Sequence, residues 1–447
     1  MSNHALLIIK RTKLFVDKYF ANEGPTLHET TLENGLKILT FRMPQTRAVS
    51  VSFFVGTGSR YESDDVAGAS HFIEHMLFKG TARRPTARHI SEAIEGIGGY
   101  SNAYTGQDTT TYWAKVAAPH FAEAADVLID MLRFSTFDPA EVEKERRIIV
   151  EEINMSMDAP DQWVGILLGQ VVWPDHPLGR DVAGTRETVS GITRDQLLGY
   201  MERHYSPERI VVSVAGNVDH QQVIETTTER LQDWPSTSTN GYLPAPDGLP
   251  SPRWLVEDRP TELGHLCLAA PGLSRSHPDR FALGLLNTVL GEGMSSRLFL
   301  EVREAQGLAY AVDSSLNMLD EAGLLVIYAG VEAERTPQAI RAVLAELDRL
   351  RQEPVPEAEL HKAREYVKGR LVLGMEDSGA VAAWYGQQAL LLDEILSLDD
   401  VLTAYDAVTD EDIQRVAQTL FTDDQLQLAA VGPFGDGNEL GALLSLD

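Results

Sequence analysis

Residues 98–116 read GGYSNAYTGQDTTTYWAKV, and residues 307–331 read GLAYAVDSSLNMLDEAGLLVIYAGV. Both runs open on glycine, continue in aromatic and β-branched residues that favour strands, and pass into a helical pattern. The strand-like SVSFFVGTGSR at residues 50–60 resembles HLCLAAPGLSR at residues 265–275 in the same way. Each pair is offset by about 210 residues, too long for a solenoid or propeller period, so the chain reads as one unit present twice. Between the copies lies DWPSTSTNGYLPAPDGLPSP, residues 233–252, whose Pro, Gly, Ser and Thr mark a linker. The expected division is an N-terminal extension over 1–26, a first domain over 27–232, the linker over 233–252 and a second homologous domain over 253–447.

Within the first unit, Leu36–Arg42 and Val49–Thr57 read as strands. Helices are expected over Ala69–Phe78, stopping at Gly80, and after Pro85, with Ile90, Ala93, Ile94 and Ile97 on one face up to Gly98-Gly99. One strand is expected from Tyr100 to Val116, then a helix after Pro119, then a helix capped by Asp138 that runs to about Met157. Strands and helices mix without strict alternation. The fold class is therefore α+β, each domain a mostly antiparallel sheet with helices packed on it.

The chain has 447 residues with 43% apolar and 23% charged content, an ordinary globular composition. Thirty-eight Lys and Arg against 66 Asp and Glu leave a net charge of −28, which repels nucleic acid and anionic membranes and favours cationic partners. No apolar run approaches the roughly 18 residues needed to span a bilayer. Cys267 is the single cysteine, so an intrachain disulfide and a cysteine-built metal site are both excluded. Any metal must be held by His and carboxylate. Met1–Asn22 carries an apolar cluster at Ala5–Ile9 before Lys10, Arg11 and Lys13, without a signal-type cleavage site. It reads as cytoplasmic; Asp17 and the early apolar cluster weaken the alternative of a transit peptide.

On the first expected helix the order is His71-Phe72-Ile73-Glu74-His75. Residues four apart share a helix face, so His71 and His75 can offer two imidazoles to one ion, with Glu74 beside it to take a proton from water. Two histidines on an amphipathic helix can equally be a solvated pair, so a third ligand is required. The helix after Pro139 reads EVEKERRIIVEEINM, in which Glu145 and Glu152 are two turns apart on one face while Glu151 points away. Glu152 is the expected third ligand, and Glu145 is suited to orient a ligand or water from behind. Without the histidines nearby, this charged helix would read as a solvated surface helix.

These segments resemble the pitrilysin, insulysin and mitochondrial processing peptidase family of zinc metallopeptidases, the inverzincins, in a short two-domain bacterial-type form. LENGLKILTFRMP, VGTGSRYE, HFIEHMLFKGT, GGYSNAYTGQDTTTYW, EKERRIIVEEI and GMSSRLFLEVREAQGLAYAV carry the likeness from about Leu27 onward. The resemblance implies a third ligand 77 positions after the second histidine, which is Glu152. It further implies that Asn102 and Ala103 lie on the strand that receives the substrate backbone by edge addition. From the residues alone, Asn102 reads sooner as a turn cap after Gly98-Gly99. Arg303 and Tyr310 match the pair that relatives bring to the scissile peptide, a clamp for the developing oxyanion. Read alone, they are a helix C-terminal cation and a strand core residue.

The implied activity is a zinc endopeptidase with one Zn2+ per chain. It would hydrolyse peptides or unfolded segments in an enclosed chamber by a zinc-bound water that Glu74 activates. The second copy reads FALGLLNTVLG where the first has its motif, so only the first domain can hold metal. In the longer members four such domains close with the zinc domain facing the domain that carries the Arg/Tyr pair, so for this two-domain chain the resemblance implies a homodimer whose active sites combine the metal group of one subunit with Arg303 and Tyr310 of the other. The acids by which processing peptidases read a basic residue are Gln162 and Ile166 here, so presequence specificity does not carry over. Ser70 stands where relatives commonly have Ala. The alternative function is a non-catalytic or partner-dependent subunit of a processing-peptidase-like complex, a role whose holders usually lose part of the motif that is intact here.

Overall fold

Strand β3 (Ala48–Val55) turns Val49, Val51, Phe53 and Val55 into one apolar core and Phe54 into another. That period of two, with both faces covered, explains why the strand reads as a nearly continuous apolar run. A computed structural model describes residues 26–237, 241–246 and 253–446. The reading of Met1–Asn22 lies outside the described residues, as does part of the 233–252 linker.

Around β3 a six-stranded sheet forms from β1 (Leu27–Thr31), β2 (Lys37–Arg42), β4 (Tyr100–Thr105), β5 (Thr110–Ala117) and β6 (Ile210–Gly216), in the order β1-β2-β6-β3-β5-β4. The second sheet holds β7 (Trp254–Asp258), β8 (Leu263–Pro271), β9 (Ala309–Met318), β10 (Gly323–Glu332) and β11 (Gln427–Gly432), in the order β7-β11-β8-β10-β9. Each sheet has one parallel pair, β2 with β6 and β7 with β11, and is otherwise antiparallel. Apart from the extra edge strand β1, the two orders are the same, as expected of a duplicated α+β unit.

The helices that position the site are α1 (Ala69–Leu77), α2 (Ala87–Glu95), α3 (Phe121–Phe134), α4 (Pro139–Asp158) and α5 (Pro160–Val172). From the second half come α6 (Arg280–Leu290) and α7 (Ser378–Leu391). Asp138 caps α4 as expected, its Oδ1 accepting the Ala140 amide at 2.8 Å. Two expectations need correction. The stretch Tyr100–Val116 is a hairpin, because Gly106-Gln107-Asp108 is turn chemistry and the Gly106 amide closes on the Thr109 carbonyl at 2.8 Å. Helix α2 ends at Glu95 with Gly96 as C-cap, and Ile97 reaches the core from the following turn, where Gly98 takes φ 72°.

The packing does not follow the sequence halves. Helix α7 lays Val381, Ala382, Tyr385 and Ala389 on Leu39, Phe54, Val211 and Ala215 of the first sheet. In return α5 sets Val164, Leu167, Leu168 and Val171 against Cys267, Ala269, Ala429 and Val431 of the second. Gly386 permits the first of these contacts, since a Cβ there would stand 2.2 Å from the Phe54 ring. Gly386→Ala should therefore lower stability by about 1–3 kcal/mol, the usual effect of overpacking. Urea unfolding checks this, and an unchanged midpoint would contradict the exchange of helices.

Candidate metal centre

Helix α1 buries Phe72, Ile73 and Met76 in the first core and leaves His71, Glu74 and His75 half-buried on its other face. Gly68 starts it in the left-handed region at φ 95°, where a Cβ would meet the Ala183 carbonyl at 2.5 Å. Its first amides are satisfied from outside the helix. The Glu62 carboxylate accepts the Gly68 and Ser70 amides, both at 2.7 Å. Burial pushes the Glu62 carboxyl up to about 7, against the pull of those two amides. Ser70 is buried and its hydroxyl bonds the Tyr200 hydroxyl at 3.1 Å, which accounts for a polar residue at that position.

Helix α4 packs on α1 and brings Glu152 to the two histidines. Glu152 Oε2 lies 3.9 Å from His71 Nε2 and 3.5 Å from His75 Nε2. One ligand atom from each of the three residues lies within 4.8 Å of the other two. Zinc with bonds of about 2.0–2.2 Å in a tetrahedron needs ligand atoms about 3.3–3.6 Å apart. The 3.5 Å pair meets this and the 3.9 Å pair is a few tenths of an ångström wider, so two imidazoles and a carboxylate at this spacing suit zinc after a small side-chain adjustment. Burial, with His75 adding to it, lowers the His71 pKa to about 4, which keeps the imidazole in the neutral, ligating form at neutral pH.

Behind the ligands, Glu145 is fully buried and sits 3.2 Å from His75 Nδ1 and 2.8 Å from Lys79 Nζ. Accepting the Nδ1 proton fixes the tautomer that aims the Nε2 lone pair at the metal position. Glu74 stands beside the group, its Oε2 accepting the Thr105 hydroxyl at 2.5 Å. Burial raises the Glu74 pKa, opposed by that hydrogen bond and by His75.

Asn102 and Ala103 lie on β4, the edge strand next to α1. Asn102 is mid-strand and exposed, and its Oδ1 accepts the Ala103 amide at 2.9 Å, so it does not cap the turn after Gly98-Gly99. Arg303 lies on the π-helical segment Phe299–Ala305 with its guanidinium over the Phe299 ring at 4.8 Å. Tyr310 is on β9, an edge strand of the second sheet, and at 77% exposure is no core residue. Among the described residues, neither makes a hydrogen bond or ion pair with His71, Glu74, His75 or Glu152.

The sequence reading passed over Glu62, Lys79 and Thr105. Lys79 stands two residues past the end of α1, where helical spacing gives no signal for it. Glu62 and Thr105 stand inside the motifs VGTGSRYE and GGYSNAYTGQDTTTYW, but only the fold brings them to α1.

A duplicated α+β pair with a two-histidine, one-carboxylate group on its first copy is a zinc-peptidase-like protein. The insulinase family, peptidase family M16, matches residues 37–186, and the peptidase M16 inactive domain matches residues 191–367. The chain belongs to peptidase family M16. It is 38% identical over 411 residues to YmxG of Bacillus subtilis (strain 168), named an uncharacterized zinc protease, covering 91% of this chain and 98% of that one. A Streptomyces coelicolor protein of the same description is 37% identical, covering 92% of this chain and 90% of that one. In fold the chain is similar to a protease from Helicobacter pylori, with a TM-score of 0.85 at 23% identity over 91% of this chain and 100% of that one. No described helix is long and apolar enough to cross a membrane.

Glu145→Gln should weaken zinc affinity about 10–100-fold, the usual effect of losing such a supporting group. Competition with a chromogenic chelator measures it, and unchanged affinity would contradict the role given to Glu145.

Proposed function

We propose that the chain is a zinc-dependent endopeptidase acting on peptides or unfolded segments. The observation that carries this reading is the convergence of His71, His75 and Glu152 within 4.8 Å, with Glu74 beside them. When bound there, zinc supplies Lewis-acid polarisation of a carbonyl and of a water. Glu74 takes the proton from the attacking water and passes it to the leaving amine, a task suited to a carboxylate whose burial raises its pKa. The open edge of β4 accepts an extended peptide in place of the Asn102 side chain on the Ala103 amide. The charge of −28 favours cationic peptides.

Among the described residues, Arg303 and Tyr310 make no hydrogen bond or ion pair with the metal group of their own chain, which supports a homodimer with shared sites. The partner subunit's Arg303 and Tyr310 would then face the scissile carbonyl and stabilise the oxyanion.

Glu74→Gln should keep one zinc per chain and lose about 10²–10⁴-fold in hydrolysis of a quenched basic peptide. Zinc bound without cleavage by the unaltered chain would favour a partner-dependent subunit. Mixing Glu74→Gln with Tyr310→Phe subunits should restore one intact composite site per dimer. No recovery, with subunit exchange demonstrated by mass labelling, would rule out shared sites.

A further inference from the structure

Thr105 is the last residue of β4, and its hydroxyl has one proton to donate, which goes to Glu74 Oε2 at 2.5 Å. A glutamate carboxylate rotates easily about its terminal torsion, so an unheld Glu74 would present either oxygen in many orientations. With Oε2 engaged by Thr105, Oε1 is the oxygen left to face an attacking water. Among the described residues, β4 is hydrogen-bonded to one strand, β5, so the position of Thr105 at its end depends in part on how the hairpin is held at its tip.

That tip is clamped from several directions. The Ser59 amide bonds the Gly106 carbonyl at 3.0 Å and the Arg60 amide bonds the Gln107 carbonyl at 3.1 Å. A Cβ on Gly58 would lie 2.3 Å from the Gly106 carbonyl, so the two segments are in close contact. Asp108, nearly buried at the tip, accepts Arg60 Nη1 at 2.9 Å and is also bonded by Arg275. Arg275 follows β8 and belongs to the second sheet's half of the chain, as does Asn317, whose Nδ2 reaches the Gln107 side-chain oxygen at 3.3 Å.

We infer that Thr105 is a positioning residue for Glu74, and that the second domain sets its position by gripping the hairpin tip through Arg275 and Asp108. The inference rests on the peptidase reading for its kinetic consequence but not for the contact itself. It assigns the metal-free domain a part in the chemistry of its own chain, separate from what Arg303 and Tyr310 would do across a dimer.

The test has two arms. In metal-free protein, urea unfolding of Thr105→Val, Glu74→Ala and the double variant should be non-additive, because each single change removes the same hydrogen bond. Additive effects would overturn the contact. In zinc-loaded protein, Thr105→Val should lower kcat on the quenched peptide by about tenfold or more, the scale of a lost hydrogen bond to a charged group. KM and zinc content should stay within about twofold, and Thr105→Ser, which keeps the hydroxyl, should recover most of kcat. Equal losses in the Ser and Val variants would overturn the positioning role. Arg275→Gln should lower kcat in the unaltered background and have little further effect in Thr105→Val, whereas independent losses would overturn the link across domains. If the unaltered zinc-loaded chain cleaves nothing, the peptidase reading fails, and the metal-free arm still decides the contact.

Discussion

Glu145 is a carboxylate with no exposure to water, and such a group is tolerable only when opposite charge and hydrogen bonds surround it. Its partners are Lys79 and His75, one just beyond the end of α1 and the other within its last turn. The requirement that these three meet fixes the register of α4 against α1. Seven residues further along α4, on the same face, Glu152 then has to arrive beside His71 and His75. The metal-binding geometry is thus tied to the satisfaction of one buried carboxylate, together with the burial of Val142, Ile149 and Ile153 on the same helix. The amides of Gly68 and Ser70 on Glu62 hold the opposite end of α1, so both ends of the motif helix are tied by carboxylates from other segments.

A second constraint comes from the duplication. Arg60 and Arg275 close the two copies of the same motif, and each reaches across to the other copy's hairpin: Arg60 bonds Glu321, and Arg275 bonds Asp108. Arg60 is fully buried, with Tyr242 of the linker stacked 3.6 Å from its guanidinium carbon. The exchange of α5 and α7 between sheets repeats this reciprocity with apolar side chains. Among the described residues, neither sheet is covered on both faces by its own half of the chain, so the second half completes the packing of the first. Its own counterpart of the motif helix, α6, carries FALGLLNTVL and buries most of it, which leaves a single metal group per chain among the described residues.

Much of this was legible in the sequence because it is local or periodic. The i, i+4 histidines, the seven-residue step from Glu145 to Glu152, the Asp138 cap and the strand-like runs each need only a few neighbouring residues to be read. The duplication was legible as well, and the matching strand orders bear it out. What escaped depends on long-range contact. The Gly106-Gln107-Asp108 turn was hidden inside an otherwise strand-like run, and nothing local shows that Asn102 bonds its neighbour's amide on an exposed edge. Glu62, Lys79 and Thr105 are ordinary residues until α1 is set among them. The crossing of α5 and α7 between sheets cannot be read from apolar periodicity, which says that a face is buried but not against what.

The central claim is that His71, His75 and Glu152 form a zinc site. Anomalous scattering at the zinc edge from crystals of the purified chain tests it most directly. The account predicts one peak per chain, within bonding distance of both histidine Nε2 atoms and a Glu152 oxygen, with Glu145 on His75 Nδ1. A peak elsewhere, or none in protein grown with zinc, would contradict it.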